Sequence, residues 1–452
     1  MKQYPSYKDS GIDWIDHIPA SWYTTKLKRI CNIQGRIGFK GYTKDDLVSK
    51  DEGALTLGAK HISKSNKINL SDPEYISWEK YYESPEIMVK TGDVLVTQRG
   101  SLGKVAIIES EIGDATINPS MVLLNNLHIN GKYLYYYLNS KYISSKVEII
   151  SSATAVPMIS QEELGKFEIL IPERSDQTAI ANFLDHKTQQ IDELIAKKQQ
   201  LIELLKEERT AVINQAVTKG LDPTGPMKES GIEWLGEIPE HWDRVRLKHL
   251  VLIKITDGPH ETPEFFEFGV PFLSAEAIRE NVLDFDYARG YISEEQFDIY
   301  RRKSEAKRFD VLLCKSGSTT GKSAIVETDE TFAIWSPLAI IRADQRKVLP
   351  YFIFHSLQSN KFRIQVEQFW SFGTQPNIGM GTIENLWIAV PPIPEQIEIV
   401  AQLNMKVKNI DQQIEMIIKE IELINEYKTS LINEAVTGKI DVRDYHVENI
   451  IV

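Results

Sequence analysis

The sequence predicts an α+β protein in which two mixed α/β globular domains are joined by two long helices that form an antiparallel coiled coil. Three observations lead to this prediction. A long helical segment with heptad spacing occurs twice, the regions that precede the two copies match each other, and both regions alternate short apolar runs with turn residues. The chain therefore has an internal repeat, and we expect approximate two-fold symmetry within a single polypeptide.

The long helical segments are predicted at 176–220 and 395–438. A constant offset in numbering maps Gln177 onto Gln396 and Leu184 onto Leu403 without a gap. The first helix leads into the second domain, where the second helix begins, so helices that pack side by side must be antiparallel. The apolar positions three and four residues apart form the predicted helix-pair interface. They are Leu184, Ile191, Ile195, Ile202, Leu205, Val212, Leu403, Val407, Ile410, Ile414, Ile417, Ile421, Ile424 and Leu431.

The two remaining large regions, 1–175 and 221–394, are predicted to be the globular domains, and 439–452 a C-terminal tail. Ser10–Trp14 is repeated as Ser230–Trp234, and a second tryptophan follows each copy. We expect the indoles of Trp14 and Trp22 to be buried against the first domain. Short strands are predicted wherever apolar runs are bounded by Gly, Asn, Asp or Ser. These runs include 54–57, 93–97, 105–108, 121–124, 167–171 and 386–390.

Two local patterns have more than one interpretation. The tyrosine-rich stretch Tyr133–Tyr142 could stack on bases, but its near-helical spacing favours core packing. The stretch Lys315–Ser323 resembles a phosphate-binding loop, but it has three residues between its glycines where that motif has four. We predict a turn between two strands there.

Composition limits the possible classes of protein. A hydrophobic content of 42% and a charged content of 26% are ordinary for a soluble protein. No apolar run approaches the roughly 20 residues of a membrane span, and we expect a cytoplasmic protein with no membrane partner. The net charge of −12 by itself argues against nucleic acid, although basic clusters occur at Lys60–Lys67 and Arg301–Arg308.

Motifs for catalysis and for metal binding are missing from the sequence. There is no His-Glu-x-x-His pattern, no Cys-x-x-Cys pair, no nucleophile elbow and no glycine-rich cofactor loop. The segment Asn118–Met121 only partly matches the Asn-Pro-Pro-aromatic pattern of amino-methyltransferases. We therefore predict no catalytic residue, no metal site and no cofactor in this chain.

A family resemblance is carried by the junction between the two repeats. Residues Ala216–Pro223, which lead into Met227–Trp242, resemble the junction of DNA-specificity subunits of Type I restriction-modification enzymes. Asp257-Gly258 with His260, Gln396 after its prolines, and the terminal Ala435–Asp441 are similar to the same family. The resemblance covers nearly the whole chain, but the first domain lacks the Asp-Gly-x-His-x-Thr-Pro loop.

The resemblance implies a non-catalytic subunit that recognises double-stranded DNA, each domain reading one half of a split site. It also implies two modification subunits that methylate adenine with S-adenosylmethionine, and restriction subunits that use ATP and Mg. All of these cofactors are expected in the partner subunits. An alternative function is a coiled-coil scaffold or adaptor with two ligand-binding modules and no DNA. A self-sufficient nuclease is disfavoured because no cluster of Asp, Glu and Lys suggests a metal site.

Base contacts are predicted on loops that carry flexible or bidentate hydrogen-bond donors. Arg and Lys suit guanine and Gln suits adenine in the major groove. The candidates are Lys60, His61, Gln98, Arg99 and Ser101 in the first domain, and His260, Lys315, Ser316, Ser318 and Gln375 in the second.

Overall fold

The computed structural model describes residues 2–36, 41–63, 65–152, 157–222, 224–372 and 376–445. The chain divides into two compact units: unit 1 comprises residues 1–198 and 419–452, and unit 2 comprises residues 199–418. Each unit contains one globular region and a part of both long helices. The domain boundaries drawn along the sequence stay a prediction.

In the described residues, the globular part of unit 1 contains short strands and four α-helices that precede the first long helix. Its strands are β1 (Tyr7–Ile12), β2 (Ile15–Pro19), β3 (Tyr23–Lys26), β4 (Asn32–Gln34), β5 (Leu47–Val48), β6 (Gly53–Leu57), β7 (Glu74–Ser77), β8 (Val94–Thr97), β9 (Val105–Ile107), β10 (Ala115–Ile117), β11 (Met121–Asn125) and β12 (Glu168–Ile171). Its helices are α1 (Trp78–Tyr82), α2 (Gly131–Leu138), α3 (Lys141–Ser152) and α4 (Gln161–Gly165), and the long helix α5 is Arg174–Lys219.

The globular part of unit 2 repeats this plan and precedes the second long helix. Its strands are β13 (Met227–Glu229), β14 (Glu237–Pro239), β15 (Asp243–Arg246), β16 (Thr256–Asp257), β17 (Val270–Leu273), β18 (Ile278–Arg279), β19 (Val282–Leu283), β20 (Gly290–Ile292), β21 (Val311–Cys314), β22 (Ser323–Ile325), β23 (Ala333–Ile334), β24 (Leu338–Ile341), β25 (Ser371–Phe372), β26 (Pro376–Asn377) and β27 (Trp387–Val390). Its helices are α6 (Glu294–Ser304), α7 (Pro350–Leu357), α8 (Asn360–Phe369) and α9 (Met380–Asn385), and the long helix α10 is Ile393–Val436.

The strand order shows that the repeat extends to sheet topology. Unit 1 has a sheet of order β4-β11-β8-β9, and unit 2 has the corresponding order β16-β24-β21-β22. A second sheet places β6 between β10 and β7, as β17 lies between β23 and β20. In both units this second sheet contains one parallel pair, β6 with β10 and β17 with β23. The two globular parts therefore share one architecture despite their different loops.

The core of unit 1 lies between the β4-β11-β8-β9 sheet, helices α2 and α3, and the long helices. The tyrosine-rich helix belongs to this core: Tyr133 and Tyr137 are fully buried, and their hydroxyls donate to the carbonyls of Leu170 and Glu168. Core packing rather than base stacking is thus confirmed for this helix. The prediction for the tryptophans was right for Trp22, which is fully buried, and wrong for Trp14, which is 70% exposed. Trp14 occupies the turn between β1 and β2 with φ of 81°, which carries its side chain away from the core.

Each long helix is attached to its globular region by a buried glutamine near its first turn. Gln177 Oε1 accepts from the backbone N–H of Asn130, and its Nε2 donates to the Pro172 carbonyl. Gln396 makes the same pair of bonds, with Leu349 and Pro391. The two glutamines are 2% and 0% exposed, so each helix start is fixed by bonds that are shielded from water.

The long helices pair in an antiparallel manner, as predicted. In unit 1, Asp192 bonds to Lys428 and Lys198 bonds to Glu420, both at 2.5 Å, so the partner number falls as the number on α5 rises. In unit 2, Arg209 bonds to Asp411 at 2.8 Å. Partly exposed pairs of this kind contribute little free energy, and burial of apolar residues holds the helices together.

The residues assigned to the helix-pair interface are all buried or half-buried. Those below 10% exposure are Leu184, Ile191, Ile202, Leu205, Leu403, Val407, Ile410, Ile417 and Leu431, and those half-buried are Ile195, Val212, Ile414, Ile421 and Ile424. Other apolar residues of the helices stay in contact with solvent. Leu194, Leu201 and Ile418 are each 45% exposed, and Leu204, Met416 and Leu423 more so. None of the described helices is long and apolar enough to cross a membrane.

Candidate nucleic-acid interface

A cluster of charged side chains forms around Asp257 in unit 2. Lys303 Nζ lies 2.8 Å from Asp257 Oδ1, and Lys315 Nζ lies 3.1 Å from Oδ2. His260 Nε2 also approaches Oδ2, at 3.1 Å. The cluster therefore joins two of the predicted DNA-contact residues, His260 and Lys315, through a carboxylate that the prediction did not include.

Strand pairing and helix α6 bring these groups together. Asp257 ends β16 and is paired with Ala339 of β24, the central strand that also pairs with β21. Lys315 follows β21 directly, so it emerges beside Asp257. Lys303 comes from the last turn of α6, 46 positions away in the sequence. The cluster is thus a product of the fold rather than of one local motif.

The loop that begins at Asp257 is held in one backbone conformation. A Cβ atom at position 258 would collide with the carbonyl oxygen of Ile334 and the carbonyl carbon of Trp335, so only glycine fits there. The next residue, Pro259, accepts a hydrogen bond of 3.1 Å from the backbone N–H of Ser336. These contacts fix the position from which His260 projects.

Burial and charge act in opposite directions on Asp257. Its side chain is 9% exposed, and this burial by itself raises the pKa of the carboxyl. The hydrogen bonds and positive charges of Lys303 and Lys315 outweigh burial and hold the pKa of Asp257 below its usual range. The carboxylate is therefore ionised at neutral pH, and two ammonium groups surround one negative charge.

The loop after β21 confirms the predicted turn between two strands. It connects β21 with β22, which pair antiparallel. Lys315 is only 10% exposed in its side chain, Ser316 is half-buried and Ser318 is exposed. A neighbouring segment lies against this loop, since Gly317 N–H donates to the Pro376 carbonyl at 3.1 Å. Gln375 lies outside the described residues.

The corresponding loop of unit 1 follows β8 and includes three predicted residues. Gln98 is half-buried, and its Nε2 donates to the Pro119 carbonyl at 2.9 Å. Arg99 and Ser101 are exposed. As in unit 2, a later segment is bonded to the loop: Ile159 N–H donates to the Gln98 carbonyl, as Ile378 N–H does to Lys315. The two units thus present equivalent loops with different side chains.

The remaining pair of predicted residues in unit 1 is tied to the protein itself. Lys60 Nζ lies 2.6 Å from Asp72 and 2.9 Å from Glu74, so its charge is already balanced locally. His61 is 1% exposed, its Nδ1 accepts from the Gly58 N–H, and its Nε2 bonds to the Asp72 carbonyl. In this conformation His61 stabilises a turn and offers no edge to a base.

The residues that the prediction omitted, Asp257 and Lys303, were both visible as parts of local motifs. Asp257 opens the Asp-Gly-x-His loop, and Lys303 belongs to the basic cluster at Arg301–Arg308. A buried carboxylate at the end of a strand is commonly paired with a cation, and this could have suggested a lysine partner. Among the described residues no group of three or more His, Cys, Asp and Glu side chains could hold a metal ion.

Known proteins resemble this chain over most of its length. Residues 19–204 match the family described as Type I restriction modification DNA specificity domain. The Type I restriction enzyme MjaVIII specificity subunit of Methanocaldococcus jannaschii is 27% identical, over 79% of this chain and 81% of that protein. The putative MjaX specificity subunit of the same organism is also 27% identical, over 95% and 96%. The EcoBI specificity subunit of Escherichia coli is 21% identical, over 98% and 90%.

Solved structures show the same fold. One such chain comes from a structural study of complex assembly and conformational transition in a type I R-M system. It superposes with a TM-score of 0.70 at 15% identity, over 94% of this chain and 99% of that one. The HsdS subunit from Thermoanaerobacter tengcongensis gives 0.50 at 14% identity, over 94% and 98%. The matched family model and the near full-length relatives make this chain similar to the DNA-specificity subunits of Type I restriction-modification enzymes.

Proposed function

We propose that this chain is the DNA-recognition subunit of a Type I restriction-modification complex, in which each globular unit reads one half of a split site. One observation carries the proposal: two units with the same strand order present loops at equivalent positions, after β8 and after β21, with different side chains. Equivalent loops with different residues suit two different half-sites, because base edges are read by individual hydrogen-bond donors and acceptors.

The long helices act in this proposal as a docking platform for partner subunits. Leu204 and Leu423, which occupy equivalent positions of the two long helices, are 53% and 63% exposed, although a two-helix seam buries its apolar residues. Exposed apolar residues of this size suit the apolar faces of other helices. We assign them to two modification subunits, since a chain with an internal repeat offers two similar surfaces.

Catalysis in this proposal belongs to the partners. The modification subunits use S-adenosylmethionine to methylate adenine, and restriction subunits use ATP and Mg to cleave. This chain contributes recognition and positioning. Its net charge of −12 means that the partners supply much of the sequence-independent attraction to phosphates.

The decisive experiment compares DNA binding by the chain alone, by the modification subunits alone and by the assembled complex. We expect the assembled complex to retain a duplex with the split site more tightly than a duplex in which one half-site is scrambled, and to lose affinity as salt rises. A complex that binds both duplexes equally would contradict recognition. In that event the adaptor function would remain, with two modules for ligands other than DNA.

A further inference from the structure

The two repeats contain equivalent cavities, one in each unit, that differ greatly in volume. In unit 1 a cavity of about 640 Å³ lies where the β1–β2 hairpin, the start of α3 and the end of α10 meet. In unit 2 the equivalent elements are the segment between β13 and β14, the start of α8 and the end of α5, and they enclose about 10 Å³. The same place in the repeat therefore has room for a ligand in unit 1 and almost none in unit 2.

A tryptophan at equivalent positions accounts for much of this difference. Trp234 of unit 2 folds into its cavity, where its Nε1 atom is buried and its ring contacts the ring of Phe369, with 5.7 Å between the centroids. Trp14, its counterpart in unit 1, is 70% exposed and stands at the edge of the cavity. The positive φ of Trp14 is a strained conformation for a bulky residue, and strain of this kind is concentrated at binding sites. The position that an indole fills in unit 2 is therefore open in unit 1.

An asparagine at equivalent positions shows the same contrast. Asn214 Oδ1 accepts a hydrogen bond of 2.6 Å from the backbone N–H of Asn360 and so holds the start of α8 in unit 2. Asn433, its counterpart at the end of α10, lines the cavity of unit 1. Among the residues that the structure describes, none forms a hydrogen bond with the Asn433 side chain. Its amide group, which both donates and accepts, is therefore available to a ligand.

The open cavity also carries positive charge at its edge. Lys141 and Lys439 are exposed and line the cavity, and neither forms an ion pair with another described residue. At the equivalent positions of unit 2 the chain has the neutral residues Asn360 and Gly220. A cleft with cations of one sign at its edge focuses the field on its interior and attracts anions. The ligand that fits this cavity thus combines an aromatic ring with negative charge.

We propose that the unit 1 cavity binds a partner protein through an acidic segment whose aromatic side chain enters the cavity, while its carboxylates pair with Lys141 and Lys439. The amide of Asn433 bonds to the same segment, and Trp14 packs against the entering ring. A protein segment is the favoured ligand because unit 2 fills the same place with groups of its own polypeptide, an indole and a side-chain amide. This inference does not depend on DNA recognition, and it gives the repeated chain one docking site that is specific to unit 1.

The test uses the full chain and a set of fluorescein-labelled peptides, with binding followed by fluorescence anisotropy. Each peptide has one Trp, Phe or Tyr with two glutamates on either side, as in Glu-Glu-Trp-Glu-Glu. We expect saturable binding at one site per chain by at least one member of the set. Glu-Glu-Ala-Glu-Glu lacks the ring and Lys-Lys-Trp-Lys-Lys reverses the charge, and both should bind about tenfold more weakly or less. If no acidic aromatic peptide binds, the proposal is overturned.

Two variants locate the site by independent means. Lys141→Glu combined with Lys439→Glu should weaken binding by about tenfold or more, because like charges then face each other. Lys44→Glu combined with Lys50→Glu makes the same change of charge at exposed positions of unit 1 outside the cavity, and it should leave the affinity unchanged. Ser145→Trp fills the cavity without changing the charge and should abolish binding. Wild-type affinity in both K141E/K439E and S145W would overturn the assignment to this cavity.

Two further measurements decide what occupies the cavity. Trp14→Ala should weaken peptide binding several-fold if Trp14 packs against the entering ring. Tighter binding by W14A would mean that Trp14 closes its own cavity, as Trp234 does, and would overturn the assignment to a partner. Adenosine monophosphate, which joins an aromatic base to a phosphate, should not displace the peptide. Displacement at a lower concentration than the unlabelled peptide requires would make the cavity a nucleotide site and would also overturn the proposal.

Discussion

His355 should make the stability of unit 2 depend on pH. It lies on α7 and is 3% exposed, and burial lowers the pKa of His355 to about 4 from the ordinary 6.5. The positive charge of Arg209 lowers this pKa further, while the bond between Nε2 and Asn404 Oδ1, at 2.8 Å, acts in the opposite direction. The folded protein therefore holds His355 neutral in a pH range where an unfolded chain would protonate it.

The sign and the size of the effect follow from proton linkage. Between pH 6.5 and 4 the unfolded state binds more protons, so the stabilisation is complete above pH 6.5 and is lost as pH falls towards 4. The free energy of unfolding is lower by about 2 kcal/mol at pH 5 and by about 3 kcal/mol near pH 4, since each pKa unit corresponds to about 1.4 kcal/mol.

The assay is hydrogen exchange of the α7 amides in the intact chain, with urea midpoints as a second measure, at pH 7 and pH 5. His355→Gln is the matched variant, because glutamine can still donate to Asn404 but does not titrate in this range. The wild type should lose about 2 kcal/mol more than H355Q between the two pH values. Equal losses of unfolding free energy in both proteins would refute the argument. A lower stability of H355Q by the same amount at both pH values would not affect it.

Three further predictions concern stability and spacing. Gln396→Ala should lower the free energy of unfolding by about 3 kcal/mol, because it removes buried hydrogen bonds to Leu349, Lys347 and Pro391. It should also speed hydrogen exchange of the Leu349 amide, and unchanged exchange there would contradict the assigned bond. Asp310→Asn should lower the free energy of unfolding by about 3 kcal/mol, measured by thermal unfolding, since Asp310 is 1% exposed and accepts two bonds from Arg342. Asp93 occupies the equivalent place in unit 1, where burial raises the pKa of the carboxyl, and Asp93→Asn should lower the free energy of unfolding less. Removing Lys198–Leu204 together with Ile417–Leu423 keeps the heptad phase and shortens each helix by about 10 Å. Methylation is then measured on duplexes whose half-sites are separated by different numbers of base pairs, and it should weaken at the separation that the wild type prefers. An undiminished optimum at that separation would show that the helices do not set the spacing.

The helices and the repeat could be predicted because their signals are local or periodic. The apolar residues of α5 and α10 recur every three or four positions, and their alignment has no gap, so helix, partner and direction follow from the sequence. Core packing of Tyr133 and Tyr137 follows from the same periodicity. Short strands could be placed, but their order β4-β11-β8-β9 could not, because strand pairing depends on contacts far apart in the chain.

The candidate site was predicted less completely because its geometry is long-range. Loop composition indicated His260 and Lys315, but the carboxylate that joins them and the helix that supplies Lys303 meet only in the folded unit. Residue type also says little about the surroundings of His61: histidine is often exposed, whereas here both ring nitrogens bond to backbone groups inside the protein. The wrong prediction for Trp14 has a similar cause, since the exposure of this residue depends on a turn with positive φ that could not be predicted from the local sequence.

The central claim, that each unit reads its own half-site, is tested most directly by mapping methylated adenines in DNA from cells that carry the complete system. The map is made for the wild type and for a chimera in which residues 231–390 come from a relative. A split motif with a fixed gap is expected for the wild type, and the chimera should change one half of that motif and preserve the other half and the gap. A motif that changes in both halves, or in neither, would contradict independent reading by the two units.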